Sequence, residues 1–353
     1  MFYCMLPFTY IFLRGDFIPT LHEVAALAGV SRMTVSRYIN GSGYVSEQIR
    51  LKIQEAINQL QYRPNRIARS LTTGTTKNIA LILSDISNPL YTLIIKGVET
   101  LAFEHGYNLI VCNTGYSLER EQEYVYTLVD KLVDGIIIAP SCLGTEHLKE
   151  VKSKNIPLVF VARKAEGIAA DCVTFDDFYG SYQLIKHLTE LGHRRIGVIC
   201  RQVDLNNQRL DGYQKAVAEA HIPYEESLLQ TSTVVDELVG YDCARNLLEQ
   251  PQPPTAIFTT VNKFAGGTLL YCRHKHVEIP RQLALVSFDS FAEVDYLIVP
   301  QLTCNIIPAF DLGHKAAELL FLRINDCSPG SSFSEISLKG EMLVRASTVA
   351  AGS

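Results

Sequence analysis

The chain has 353 residues, 47% of them apolar and 20% charged, with no low-complexity run, the composition of an ordinary soluble protein of two or three domains. Its net charge of −5 argues against a general nucleic-acid binder, yet residues 20–76 hold seven basic side chains against three acidic ones, a small basic head on an acidic body. Nine cysteines are scattered singly with no Cys-x-x-Cys pair, which excludes zinc spacing and a complete disulfide framework and leaves buried thiols in a reducing compartment.

Residues 1–18 are apolar, but no basic residue precedes the run, no small-x-small cleavage site follows it, and it is too short to span a bilayer. They read as a non-native extension from a start codon assigned too early. Thr20 can cap a first helix whose apolar face is Val24, Ala25, Leu27 and Ala28, and Gly29 permits the left-handed turn that ends it. Ser31 caps a second helix in which Val35 and Ile39 face the first. Arg32, Met33, Thr34, Ser36 and Arg37 crowd that short helix with groups suited to phosphates or base edges. A third helix runs from about Ser46 to Leu60 on a stripe of Ile49, Ile53, Ile57 and Leu60. Pro64 breaks it, Asn65 can cap a short fourth helix through Leu71, and "TTGTT" is a polar join.

From Lys77 apolar strands alternate with amphipathic helices: "NIALIL", a helix near 90–105, "YNLIVCN", a helix near 118–131, "DGIIIAP", a helix near 145–153 and "PLVFVA". A second series begins near 194 with "RRIGVIC", a helix from about 207, "AIFTT", a helix near 262–274 and "LALVSF". Two βαβ series predict two doubly wound parallel sheets with a cleft between them.

Counting Leu21 as position one, Ala25 is fifth, Gly29 ninth and Val35 fifteenth, where a helix-turn-helix needs small size, a left-handed turn and interhelical packing. "TLHEVAALAGVSRMTVSRYING", "YVS" and "LQYRPNRIARSL" follow in order, and "GYNLIVCNT", "VDGIII", "HLTELGHRRIGVI", "RLDGY", "PTAIF", "FDS" and "PQLTC" come later. Together they closely resemble the lactose-repressor (LacI/GalR) family of bacterial transcription regulators, from about residue 19 onward. The resemblance implies an N-terminal all-α helix-turn-helix head with a hinge helix, joined to an α/β two-lobed core like the periplasmic binding proteins. The expected boundaries are 19–62 for the head, 63–76 for hinge and linker, 77–192 with about 307–329 for the first lobe, and 193–306 with about 330–349 for the second.

By that resemblance the second helix reads operator DNA in the major groove. Arg32 and Met33 sit where the family varies, and Arg37 matches the Arg that forks a guanine. Thr20, Leu21, Ser31, Thr34, Ser36 and Asn40 complete the expected contacts, the alternative for Ser31 and Asn40 being plain helix caps. Asn65, Arg66 and Ala68 would lie along the minor groove, and Leu71 would wedge between base pairs. The hinge would order only on DNA and in a dimer.

In the core, Arg209 matches the family's effector-contacting Arg and Asp289 its acidic partner, a pair expected to face each other across the cleft and to suit a sugar or sugar acid. Asn88 and Tyr91 follow the first strand at its carboxyl edge, and Arg163 and Tyr179, near the "DDFYG" turn, are further candidates. Asn262 can cap its helix, while Val261 stands where the family often has a polar residue, so no relative's effector can be transferred.

The expected partners are double-stranded operator DNA, a small-molecule effector and a second copy in a homodimer, the family's leucine-heptad tail being absent after "VRASTVAAGS". No cofactor, metal site or membrane contact is implied, and the expected location is the cytoplasm, at the nucleoid. No Gly-x-Gly-x-x-Gly follows the first strand, and no Walker motif or Gly-x-Ser-x-Gly elbow occurs, which opposes an enzyme. A non-sugar ligand such as a nucleobase, or action with a partner protein, is the alternative within the family; a doubly wound enzyme or a solute-binding protein is the alternative outside it.

Overall fold

A computed structural model describes residues 19–63, 74–140, 144–201, 208–289, 297–325 and 332–348. The chain divides into two units, up to Thr76 and from Lys77. The first contains helices α1 (Leu21–Ala28), α2 (Arg32–Asn40) and α3 (Glu47–Leu60). The Glu23 carboxylate accepts hydrogen bonds from the Thr20 amide at 2.7 Å and the Thr20 hydroxyl at 3.1 Å, fixing the start of α1. Gly29, at φ 67°, ends α1 in the left-handed conformation. Ser31 Oγ accepts from the Thr34 amide at 3.1 Å and starts α2. The three helices meet on a small core centred on the fully buried Val24, Val35 and Ile53, the residues that the 3.6-residue period points inward.

The second unit holds two six-stranded sheets. The first contains β1 (Asn78–Leu83), β2 (Asn108–Asn113), β3 (Gly135–Ile138), β4 (Leu158–Val161), β5 (Asp171–Phe175) and β11 (Glu335–Leu338), in the order β11-β5-β4-β3-β1-β2, all parallel. The second contains β6 (Ile196–Arg201), β7 (Leu229–Ser232), β8 (Ala256–Thr259), β9 (Ala284–Ser287), β10 (Thr303–Ile306) and β12 (Glu341–Leu343), in the order β12-β10-β9-β8-β6-β7, parallel except for β12. Strands β3, β4, β6, β8 and β9 are buried along their whole length, which requires the continuous apolar runs seen in the sequence.

Helices α4 (Pro89–Glu104), α5 (Leu118–Asp130), α6 (Glu146–Ser153) and α11 (Ala309–Asn325) cover the first sheet, and α9 (Glu237–Leu248) pairs with α10 (Asn262–Lys275) in the second lobe. Helix α7 (Asp177–Glu190) lies on α8 (Gln208–Glu219). A Cβ at Gly212 would strike the Phe178 carbonyl and the Ser181 hydroxyl, so only glycine lets these two helices approach so closely.

Two lobe boundaries differ from those expected. Helix α7 was assigned to the first lobe, but it packs on α8, β10 and β12, so the chain enters the second lobe after β5, near Asp176, rather than at 193. The segment from about 330 was assigned to the second lobe, but Glu335–Leu338 pairs with Cys172–Phe175 of the first sheet, and the chain reaches the second sheet only at β12. Both crossings are set by long-range pairing, to which local periodicity is blind.

The candidate DNA-binding helix and interlobe site

On the head, α2 buries Val35 and turns its other face outward. Arg32, Met33 and Arg37 are exposed, Met33 by 65%. Ser31 and Thr34 are joined through their hydroxyls at 2.8 Å, and Asn40 Nδ2 donates to Ser36 Oγ at 3.2 Å. Gly41, not Asn40, is the left-handed C-cap. Thr20 is exposed at the N-terminus of α1 and Leu21 is half-buried beside it. Tyr38 Oη donates to Gln54 Oε1 at 2.6 Å, anchoring α2 to α3. Thus α2 presents two guanidiniums, a thioether and short hydroxyls on one rigid short helix, the chemistry needed for phosphate and base-edge contact. Asn65, Arg66, Ala68 and Leu71 lie outside the described residues.

In the second unit, the carboxyl ends of the two sheets meet. Phe175 at the end of β5 lies 6.1 Å from Phe288 after β9, between ring centroids. Lys263 Nζ of α10 donates to Asp85 Oδ2 after β1 at 2.8 Å. The Arg201 guanidinium at the end of β6 sits 4.5 Å above the ring of Tyr116, which follows β2. Each of these contacts joins the two lobes.

Arg209 lies at the start of α8. Its guanidinium donates to Asp177 on α7 and to the Thr260 carbonyl, stands 3.5 Å from Asp289 Oδ1, and covers the Phe288 ring at 3.7 Å. Asp289 is therefore close to Arg209 as expected, but both belong to the second lobe; they do not face each other across the cleft. The close approach of α7 to α8 brings Asp177 to Arg209. Burial raises the Asp289 pKa above its ordinary value, with Asp177 acting in the same direction, and Arg209 and Arg163 offset only part of this.

Asn88 accepts from the Leu90 amide and caps α4, so part of its hydrogen-bonding capacity is structural. Tyr91 is buried on the first turn of that helix, beside Tyr116. Burial pushes the Tyr116 phenol well above its usual range, reinforced by Tyr91 and Asp85 and opposed by Arg163 and Arg201, so it remains a protonated donor at neutral pH. Burial also disfavours the Asp85 carboxylate, but hydrogen bonds from Lys263 and from the Ser87 hydroxyl and amide outweigh it and hold the pKa below the ordinary value. Tyr179 is on the first helical turn of α7 rather than in a turn, partly exposed, with Lys339 Nζ 5.0 Å from its ring. Asn262 does not cap α10; Val261 is the N-cap residue, and Asn262 is buried as the first helical residue.

The sequence reading missed Asp85, Tyr116, Asp177, Arg201 and Lys263. A charge ending the otherwise apolar "IGVICR" was a usable signal for Arg201. The others depend on which loops the lobes bring together.

Residues 20–65 match the family of bacterial regulatory proteins, lacI family, and residues 76–341 match the periplasmic binding proteins and sugar binding domain of LacI family. The HTH-type transcriptional repressor PurR of Vibrio atlanticus is 33% identical over 311 residues, 87% of this chain and 92% of that protein. The crystal structure of a LacI family transcriptional regulator from Enterococcus faecium with bound ribose is 28% identical, with a TM-score of 0.70 over 77% of this chain and 99% of that one. The lac repressor dimer bound to operator and the anti-inducer ONPF shares the fold, with a TM-score of 0.81 and 22% identity over 94% of this chain and 99% of that one. With a basic helix-turn-helix head, two facing α/β lobes and family matches over both, the chain belongs to the LacI family: it is a DNA-binding transcriptional regulator with an effector-binding core, and not an enzyme.

Proposed function

We propose that the protein is a cytoplasmic, homodimeric repressor of a carbohydrate-utilisation operon, released from or fixed to its operator by a small sugar or sugar acid bound between the core lobes. The observation that carries this reading is the Arg209 cluster, a guanidinium held over Phe288 among two carboxylates at the carboxyl edge of the second sheet. A guanidinium held between carboxylates suits a polyol, whose hydroxyls can accept from the one and donate to the others. The regulator from Enterococcus faecium carries ribose, so a core of this fold accommodates a sugar. Arg32, Met33 and Arg37 would read base edges, while Thr20, Leu21, Ser31, Thr34, Ser36 and Asn40 would position the head on phosphates. Among the core residues, Asn88, Tyr91, Arg163, Tyr179, Asn262 and Asp289 would surround the effector with Arg209. Exposed Phe103 and Val111 on the first lobe and Leu238 and Leu270 on the second give a second copy apolar surface to cover.

A thermal-shift screen of sugars, sugar acids and nucleobases tests the effector. A true ligand at a hundredfold excess over its Kd adds about 2.7 kcal/mol of stability, and it must also change operator affinity. Stabilisation by a nucleobase, with no sugar or sugar acid active, refutes the carbohydrate reading and leaves the regulator reading in place.

A further inference from the structure

We propose that Lys263 and Asp85 form a latch that holds the two core lobes closed, so that the chain itself supplies part of the closing free energy; what this does to the effector rests on the interlobe reading above. Asp85 follows β1 in the first lobe, and Lys263 is the second residue of α10 in the second lobe, 178 residues away. The Lys263 ammonium donates to Asp85 Oδ2 at 2.8 Å. The bond runs from one lobe to the other through two side chains alone, and parting the lobes breaks it.

Three observations set this pair apart from an ordinary surface ion pair. First, the Asp85 carboxylate is oriented by its own lobe. The Ser87 hydroxyl and amide donate to Oδ1 at 2.6 and 3.0 Å, and Oδ2 is the oxygen that meets the ammonium. Second, Lys263 stands against its own helix. It lies in the first turn of α10, whose N-cap, Val261, offers no side-chain hydrogen bond and whose first turn carries no acidic residue. A cation at the positive end of a helix dipole is disfavoured, so a carboxylate brought there by the other lobe counts for more. Helix α10 is also fixed in its lobe: a Cβ at Gly267 would strike the Glu237 carbonyl of α9, and Phe264, next to Lys263, is fully buried. The ammonium therefore moves with the second lobe. Third, the pair is sheltered, with only 14% of the Asp85 side chain and 25% of the Lys263 side chain exposed, so salt screens it less than a surface pair. Burial disfavours the Asp85 carboxylate, yet the hydrogen bonds from Lys263 and Ser87 outweigh it, and the group is ionised at neutral pH.

An effector that binds closed lobes gains apparent affinity with the fraction of chains already closed. The latch thus tightens effector binding without touching the effector.

Pulsed electron–electron double resonance on the full-length protein measures closure. Nitroxides are attached through keto side chains introduced at Glu146 on α6 and Lys215 on α8, both exposed, because nine cysteines preclude selective thiol labelling. Labelled protein is diluted with unlabelled protein so that distances within one chain dominate. Lys263→Met should lower the ratio of short to long interlobe distances by about 5- to 30-fold. Asp85→Asn should do the same, and the double variant should go no further than either alone. Lys263→Arg, which keeps the cation, should stay closed, and Lys263→Glu, which sets two carboxylates face to face, should open furthest. Lys263→Gln replaces the Met variant should that fold poorly. Distances unchanged in both Lys263→Met and Lys263→Glu overturn the latch, as does a double variant in which the two single effects add. Affinity for an operator duplex selected from a random pool separates the latch from the reading it rests on. Lobes that part in Lys263→Glu with operator affinity unchanged leave the latch standing and overturn control of DNA binding from the cleft; a changed affinity supports both.

Discussion

Replacing Arg209 by Met separates the two duties the structure gives this side chain. The guanidinium serves Asp177, the Thr260 carbonyl and Asp289, and only 15% of its side chain is exposed. Breaking a buried pair costs about 3–5 kcal/mol when the surviving charge has no recourse. Here Asp177 keeps partial contact with water and Asp289 can take up a proton, so the expected loss falls to about 2–3 kcal/mol, at or below the lower end of that range. For a core of this size that corresponds to a fall in Tm of about 4–12 °C. The loss should depend on pH. The folded-state pKa of Asp289 is already raised, so its ionised form costs stability progressively as pH rises from the unfolded value toward the folded one. Without Arg209 that pKa rises further, and the variant's deficit widens toward neutral pH and narrows in acid. Thermal unfolding of both proteins between pH 5 and pH 8 measures this. A variant as stable as wild type, or a deficit independent of pH, would refute the assignment of Arg209 to this network. In the same variant, operator binding should no longer respond to the effector, because a ligand shifts an equilibrium only through its different affinity for two states.

Lys263→Met removes the 2.8 Å pair that joins the lobes through Asp85, and should lower stability by roughly 1–2 kcal/mol. Because the Asp85 pKa is lowered on folding, its contribution is complete above the unfolded value near 3.8 and is lost as pH falls through the folded one, so urea titrations should show the two proteins converging in strong acid. Ser31→Ala removes the N-cap of α2 and should cost about 1 kcal/mol, with operator and random DNA weakened alike; a selective loss of operator affinity would make Ser31 a base reader instead.

The head was legible because its signals are local. Thr20, Gly29 and Ser31 mark helix ends by backbone chemistry, and Val24, Val35 and Ile53 mark a core by period. The strands with continuous apolar runs were legible for the same reason, both faces being covered. Strand β7, "LQTS", was not, because an edge strand carries no such run, and β11, "EISL", alternates half-buried and exposed positions for the same cause. The proximity of Arg209 to Asp289 was legible, because both fall on family landmarks. The geometry of the site was not, because Asp177 reaches Arg209 only through the crossing of the chain after β5, and Lys263 reaches Asp85 from 178 residues away. Arg209 and Asp289, read as opposed, both lie between residues 193 and 306 and share the second lobe under either set of boundaries.

Helix α2, with Arg32, Met33 and Arg37 exposed, is the element proposed to read a DNA sequence. Selection of bound sites from a random duplex pool by the full-length protein, followed by anisotropy titration of the enriched site and a scrambled one at fixed salt, tests it most directly. A two-fold symmetric site bound far more tightly than the scrambled duplex is expected, as for a homodimer. In Arg37→Ala the ratio of the two affinities should fall by about tenfold or more, since one bidentate base contact is worth about 1–3 kcal/mol. Non-specific binding should change little. Enrichment of no sequence, or an affinity ratio unchanged by loss of Arg37, would contradict it.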